Sequence, residues 1–199
     1  KTGISIYLSS PLQDIERTIE HGAAAGARYA FTSLHIPEDW GSGDTDKVRH
    51  VLSLLSARGI ALIADVGAAH GDLLGLECIE DLRDLGLEYL RLDYGFSARR
   101  VAELSGVFRI VVNASTVSSD EIASWREAGA DVTHFAACHK FYPKPYTGLA
   151  LEDIARVNLR LAALGFEIMA FVPGDANVRG PVFEGLPTVE AQRGRASKV

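Results

Sequence analysis

The chain has 199 residues, 47% of them hydrophobic, and its 20 Lys plus Arg against 26 Asp plus Glu leave a formal charge of −6. That length and composition suffice to bury one substantial core in one domain, and an acidic balance with no basic run argues against nucleic acid or an anionic membrane as partner. No apolar run approaches membrane-spanning length and no charged-then-apolar signal segment opens the chain, so the expected compartment is the cytoplasm.

Ile4 to Leu8 is a short apolar run, followed by Ser10 as an N-cap, Pro11 at the first helical position and a helix closing at Gly26. The same order then recurs: a helix, a Gly near its end, an apolar strand, and polar residues where the strand stops. Gly26 leads into Tyr29 to Leu34 with Ser33 and His35, and Gly59 into Ile60 to Val66 with Asp65. Gly86 leads into Tyr89 to Leu92 with Asp93, and Arg109 to Val112 ends at Asn113, Ser115 and Thr116. Ser118 with Glu121 three residues on is a capping-box start for the next helix. Gly129 leads into Val132 to Cys138, and Gly165 into Phe166 to Val172 and then Asp175. Cys78 and Cys138 are too few for a disulfide framework, which fits a reducing compartment and makes Cys138 a buried small hydrophobe.

Seven strands alternating with helices at intervals of roughly 20 to 35 residues predict repeated βαβ units and a parallel sheet. An open doubly wound sheet would advertise a Gly-rich nucleotide turn after an early strand, and Leu8-Ser-Ser-Pro11 is not one. A TIM-like (β/α) barrel fits better, because polar residues at nearly every strand end converge on one C-terminal rim. Asp65, Arg91, Asp93, Asn113, His139 and Asp175 would then be neighbours. Such barrels usually run to about 250 residues, and the Gly/Pro-rich tail from Gly174 to Val199 offers no apolar run for an eighth strand. The expectation is a barrel over 1–199 with its eighth strand in a continuation, consistent with a chain that opens on Lys1 rather than Met.

The stretch Ala136 to Leu149 crowds polar and aromatic groups into a loop after an apolar strand. Pro143 and Pro145 stiffen it by fixing φ and biasing Tyr142 and Lys144 toward extended backbone. His139, Tyr142, Tyr146 and Lys140 or Lys144 could clasp a polar ring that carries an anion. A Pro-rich surface connection is the other reading of the same stretch.

Seven collinear motifs then point to a family: Phe31-Thr-Ser-Leu-His-Ile-Pro-Glu38, Arg91-Leu-Asp-Tyr-Gly-Phe-Ser97, Asn113-Ala-Ser-Thr116, the loop from Cys138 to Leu149, Ala170-Phe-Val-Pro-Gly-Asp175, Arg179-Gly-Pro181 and Glu184-Gly-Leu-Pro-Thr-Val-Glu190. Together they resemble the N-terminal barrel of the bacterial 6-phospho-N-acetylmuramidases. The resemblance implies a TIM-like barrel followed by a smaller cyclophilin-like β domain. It also implies hydrolysis of a disaccharide whose non-reducing sugar is 6-phosphorylated N-acetylmuramic acid, in peptidoglycan recycling. The family loop reads His-Asn-Phe-Tyr-Pro-Arg, so Lys140 and Lys144 depart from it, as does Gln192 where a histidine is expected. Lys144 keeps a charge but loses the bidentate geometry of arginine on phosphate.

Glycoside hydrolysis needs a proton donor and a second carboxylate, about 5 to 10 Å apart according to stereochemistry. Asp93 and Asp175 are the provisional catalytic pair, with Asp65, Glu184 and Glu190 as the other carboxylates of the rim and tail. Alternation places Arg91 and Asp93 on one side of their strand, where they would pair; Asp65 could equally cap the next segment. Asp175, Glu184 and Glu190 are singled out by the resemblance alone. For phosphate, Arg179 beside Gly180 is the best single candidate, with Lys144, Tyr146 and Thr147 as a second clamp. Asn113 could hydrogen-bond sugar hydroxyls or satisfy strand-end backbone groups. Asp65, Arg91, His139, Tyr142 and Glu190 complete the expected substrate contacts. His35 and His139 with Asp65 or Asp93 could hold a metal, but no His pair at helical spacing supports it, so neither metal nor cofactor is expected. The expected partner is a small phosphorylated amino-sugar disaccharide, and pairing with a second copy is left open. A sugar-phosphate lyase or isomerase, or a non-catalytic binding domain, are the alternatives on the same scaffold.

Overall fold

The computed structural model describes residues 2–35, 44–68, 76–93, 95–140 and 151–171. Seven parallel strands close into a barrel in sequence order: β1 (Thr2–Ser5), β2 (Tyr29–Ser33), β3 (Ala61–Val66), β4 (Tyr89–Leu92), β5 (Arg109–Asn113), β6 (Ala136–Lys140) and β7 (Glu167–Phe171). Around them lie α1 (Leu12–Ala24), α2 (Thr45–Ser56), α3 (Ala98–Ser105), α4 (Ser119–Glu127) and α5 (Leu151–Ala163). This is the TIM-like α/β barrel that the alternation of strands and helices predicts. Its closure is direct: Thr2 pairs with Ala170 and Gly3 with Phe171, so among the described residues no further strand stands between β7 and β1.

Strand alternation sorts the core into two clusters. Ala30, Leu62, Ala64, Leu90, Ile110, Val112 and Ala137 face the helix layer and pack with Ile15, Ile19, Val51, Leu55, Leu104 and Leu161. Phe31, Ile63, Val111, Ala136, Cys138 and Met169 form a separate cluster in the barrel interior, with large and small residues interleaved. Cys138 is there as the small hydrophobe expected, and none of the described helices is long and apolar enough to cross a membrane.

The N-terminal end of the barrel is plugged by the first residues of four strands. The Tyr29 hydroxyl donates to Glu167 Oε1 at 2.7 Å, and Arg109 Nη2 lies 2.8 Å from Glu167 Oε2. The Arg109 guanidinium sits over the Tyr89 ring at 5.5 Å, and the Tyr29 and Tyr89 rings meet edge to face at 5.5 Å. Burial and the Glu167 hydrogen bond push the Tyr29 hydroxyl well above its ordinary value, so it stays a donor.

Element boundaries move where local hydrogen bonds decide them. The capping box forms as read: Glu121 N donates to Ser118 Oγ at 3.1 Å and Ser118 N to Glu121 Oε2 at 2.8 Å. Helix α1 begins one residue later than expected, with Pro11 as N-cap, because Pro11 O accepts the first helical N–H groups, from Asp14 and Ile15, while Ser10 O is taken by Lys47 Nζ at 2.8 Å. The run Val132 to Cys138 is not one strand: Asp131 Oδ1 accepts from Thr133 N and Oγ1, folding Val132–His134 into a 3₁₀ turn. Between β3 and β4 the described residues hold only a short 3₁₀ helix, Ile79–Arg83, whose start is fixed by Asp81 Oδ2 accepting from Glu77 N and Cys78 N at 3.1 Å each.

Candidate active site

The C-terminal ends of β2, β3 and β4 bring four charged or titratable side chains together. Asp65 and Arg91 are register partners on β3 and β4, and both are sealed from water at 3% and 9% exposure. Arg91 Nη1 donates to Asp65 Oδ1, and the guanidinium lies 5.7 Å from the centre of the Phe31 ring below it. Alternation on one strand thus put Arg91 and Asp93 on a common side, but lateral register gives Arg91 to Asp65 instead. Among the described residues the Asp65 side chain caps no segment; its carboxyl group meets Arg91 and His35.

The chain continues past β2 along β3, with Leu34 N donating to Asp65 O at 2.8 Å. His35 therefore stands at the end of β3, where its Nδ1 lies 3.2 Å from Ser33 Oγ, 3.4 Å from Asp65 O and 3.6 Å from Asp65 Oδ2. Its Nε2 lies 3.1 Å from Asp93 Oδ2. Asp93 is anchored in turn by its own N–H, which donates to Val66 O at 3.0 Å. The result is a line of groups, Arg91, Asp65, His35 and Asp93, running from the dry interior to the half-buried mouth.

Burial pushes the Asp65 carboxyl up, while Arg91 and His35 pull against that push. Burial pulls hardest on Arg91, but Asp65, Cys138 and Asp93 together outweigh it and hold the guanidinium proton more tightly than usual. The His35, Asp65 and Asp93 ligand atoms lie within 4.8 Å of one another, close enough to surround a cation. The chemistry of the set opposes a dication, because one of its two carboxylates already neutralises a buried guanidinium that would face the ion.

The family described as "6-phospho-N-acetylmuramidase, N-terminal" matches residues 2–199. The chain belongs to this family. Among solved structures, a conserved protein of unknown function from Enterococcus faecalis is 33% identical, covering 97% of this chain and 54% of that one, with a TM-score of 0.75. An uncharacterised B. cereus protein is 23% identical over 84% of this chain and 46% of that one, with a TM-score of 0.66. The chain thus spans about half the length of these two proteins. A Leptospira borgpetersenii N-acetylneuraminic acid synthetase, 13% identical over 99% of this chain and 81% of that one, shares the barrel at a TM-score of 0.61. No curated protein matches the chain.

In this member of the 6-phospho-N-acetylmuramidase family, Asp65, Arg91 and Asp93 of the residues singled out in the sequence come together. Asn113, at the end of β5, lines a groove with Asp93, Phe96 and Trp125. Its Oδ1 accepts from Ser115 N at 3.1 Å, so the side chain satisfies strand-end backbone. His139 belongs to β6, and its side chain lies outside the described residues, as do Tyr142, Lys144, Tyr146, Thr147, Asp175, Arg179, Glu184 and Glu190. The residue that sequence reasoning passed over is His35, considered there only as a metal ligand. Its signal was available: an imidazole two residues beyond Ser33, at the end of a fully buried strand.

Proposed function

We propose that the chain is the barrel part of a cytoplasmic glycosidase that cleaves a disaccharide bearing 6-phosphorylated N-acetylmuramic acid, in peptidoglycan recycling. The observation that carries this reading is the family match over residues 2–199. The half-buried Asp93 carboxylate at the barrel mouth, 3.1 Å from an imidazole nitrogen, supports its choice as the proposed proton donor. Asp93 and Asp175 are the proposed acid/base pair, with Arg179 and Lys144 proposed for the phosphate. In the full-length protein the barrel is joined to a small cyclophilin-like β domain, a reading supported by relatives about twice as long as this chain.

The test is release of free amino sugar from the phosphorylated disaccharide by the full-length protein, with the unphosphorylated disaccharide and added EDTA as controls. Phosphate-dependent, EDTA-insensitive release is expected, and Asp93→Asn lowers kcat by about 10²- to 10⁴-fold. Absence of release from the phosphorylated substrate would sink the proposal. A product lacking the elements of water would identify a lyase on the same scaffold.

A further inference from the structure

The contacts around the two nitrogens of His35 in the described residues are unequal, and the difference favours one placement of its protons. Nδ1 faces Asp65 O and Asp65 Oδ2, a carbonyl and a carboxylate oxygen, together with the Ser33 hydroxyl. A carbonyl oxygen can only accept, so the 3.4 Å approach of Nδ1 to Asp65 O is favourable when Nδ1 carries the hydrogen. The Asp65 carboxyl group, which accepts from Arg91 on Oδ1 and turns Oδ2 toward Nδ1, reinforces that choice. With Nδ1 so committed, a neutral imidazole would turn the bare lone pair of Nε2 toward Asp93 Oδ2 at 3.1 Å. Two lone pairs at that distance repel; a proton between them turns repulsion into a charge-assisted hydrogen bond. The charged and titratable groups near this ring in the described residues are Asp65 from β3, and Arg91 and Asp93 from β4 and its end.

We propose that His35 and Asp93 share one proton on the Nε2 side of the imidazole, that Ser33 and Asp65 hold the ring in this state, and that the shared proton is the one Asp93 gives to the leaving group. The last clause rests on the glycosidase reading above. In that step the proton leaves Asp93 for the glycosidic oxygen as the bond from the anomeric carbon to that oxygen breaks. The bonding pair stays with the departing oxygen. Water then adds to the anomeric carbon, and its released proton restores the pair, directly or through solvent, so the net change is addition of one water. His35 is a positioning residue: it stocks and orients the proton without touching the substrate.

The experiment uses full-length protein labelled with ¹⁵N-histidine, the His35 signals being assigned by their loss in His35→Asn. At neutral pH the wild-type Nδ1 is expected to be protonated and Nε2 to be protonated or strongly hydrogen-bonded. In Asp93→Asn the Nε2 signal moves to that of a bare nitrogen while Nδ1 keeps its proton. A bare Nε2 in the wild type, or an Nε2 signal indifferent to Asp93→Asn, overturns the shared proton. His35→Asn is also the kinetic variant, because the Asn amide can stand in for Nδ1 and donate to Asp65 O while offering nothing to Asp93. It is expected to melt cooperatively and to cleave the disaccharide about 10²-fold more slowly, yet to lose less than about 10-fold on a nitrophenyl glycoside of the same phosphorylated sugar, whose leaving group needs little protonation. Equal losses on both substrates would overturn the delivery step. If the wild type cleaves neither, the glycosidase reading falls, while the nitrogen spectrum still decides the shared proton.

Discussion

Asp65 and Arg91 stand opposite each other on adjacent strands and bury a carboxylate and a guanidinium together beneath the barrel mouth. Each is tolerable there only because of the other, since an unpaired buried charge is far costlier than a buried pair. Asp65→Asn is therefore expected to destabilise the fold by about 3–5 kcal/mol. The double variant Asp65→Leu/Arg91→Met should regain most of that loss without regaining activity. Chemical denaturation checks both, and a double variant no more stable than the single would refute the uncompensated charge as the cause.

A second ion pair makes a prediction about acid. Arg100 grips Glu80 with two nitrogens at 2.5 and 2.7 Å, tying the 3₁₀ helix to α3. The hydrogen bonds from Arg100 hold the Glu80 carboxyl below its ordinary 4.5. A carboxyl lowered on folding contributes stability that is fully present above that ordinary value and lost as pH falls through the lower, folded one. Both side chains are about one-third exposed, which screens the pair and limits it to about 0.5 kcal/mol. Arg100→Gln should cost this much at pH 7 in low salt and nothing in strong acid; a cost unchanged by pH would contradict the assignment.

Gly22 sets how closely α1 lies on β1. A Cβ built there would come within 2.6 Å of Ile4 Cδ1 and 3.0 Å of Ile4 Cγ2. Gly22→Ala gains about 1 kcal/mol in helix propensity but overpacks a tight contact at about 1–3 kcal/mol, so a net loss of about 1 kcal/mol is expected. Ile4→Val removes the atom in nearest conflict, and Gly22→Ala/Ile4→Val should be at least as stable as the parent in thermal melts. A double variant weaker than both singles would show that the backbone, not Ile4, is the obstacle.

The plug at the opposite end should matter for stability alone. Tyr29→Phe removes the hydroxyl that donates to Glu167, leaving Glu167 to Arg109. A loss of about 1–2 kcal/mol is expected, with kcat for the proposed disaccharide within about twofold of wild type. A large fall in kcat would mean that the two ends of the barrel are coupled.

Much of this architecture was legible before any coordinates. The apolar runs that became β2 to β5 and β7, each led by a helix or a Gly and closed by a polar residue, carry their own boundaries because burial on both faces leaves an uninterrupted hydrophobic stretch. Asp65, Arg91 and Asp93 were visible as rim groups for the same reason: a charge at the end of such a run has nowhere to go but the mouth. Who pairs with whom was not visible. Period-two alternation relates residues within a strand, whereas the contact of Arg91 with Asp65 depends on how β3 and β4 are registered side by side. His35 was undervalued because its importance comes from lying over the end of a different strand, β3, from the one that carries it. The 3₁₀ turn before β6 was hidden by a competition that composition does not display, between the Asp131 carboxylate and the sheet for the same backbone N–H.

The seam between β1 and β7 is also the longest-range pairing in the sheet. Gly3 has to find Phe171, so the ring closes across nearly the whole described chain, the kind of distant pairing that is slow to form. His35, Asp65, Arg91 and Asp93 come instead from three consecutive strands. On an elongating chain, the polar line at the mouth has its parts in hand well before the last strand has been synthesised.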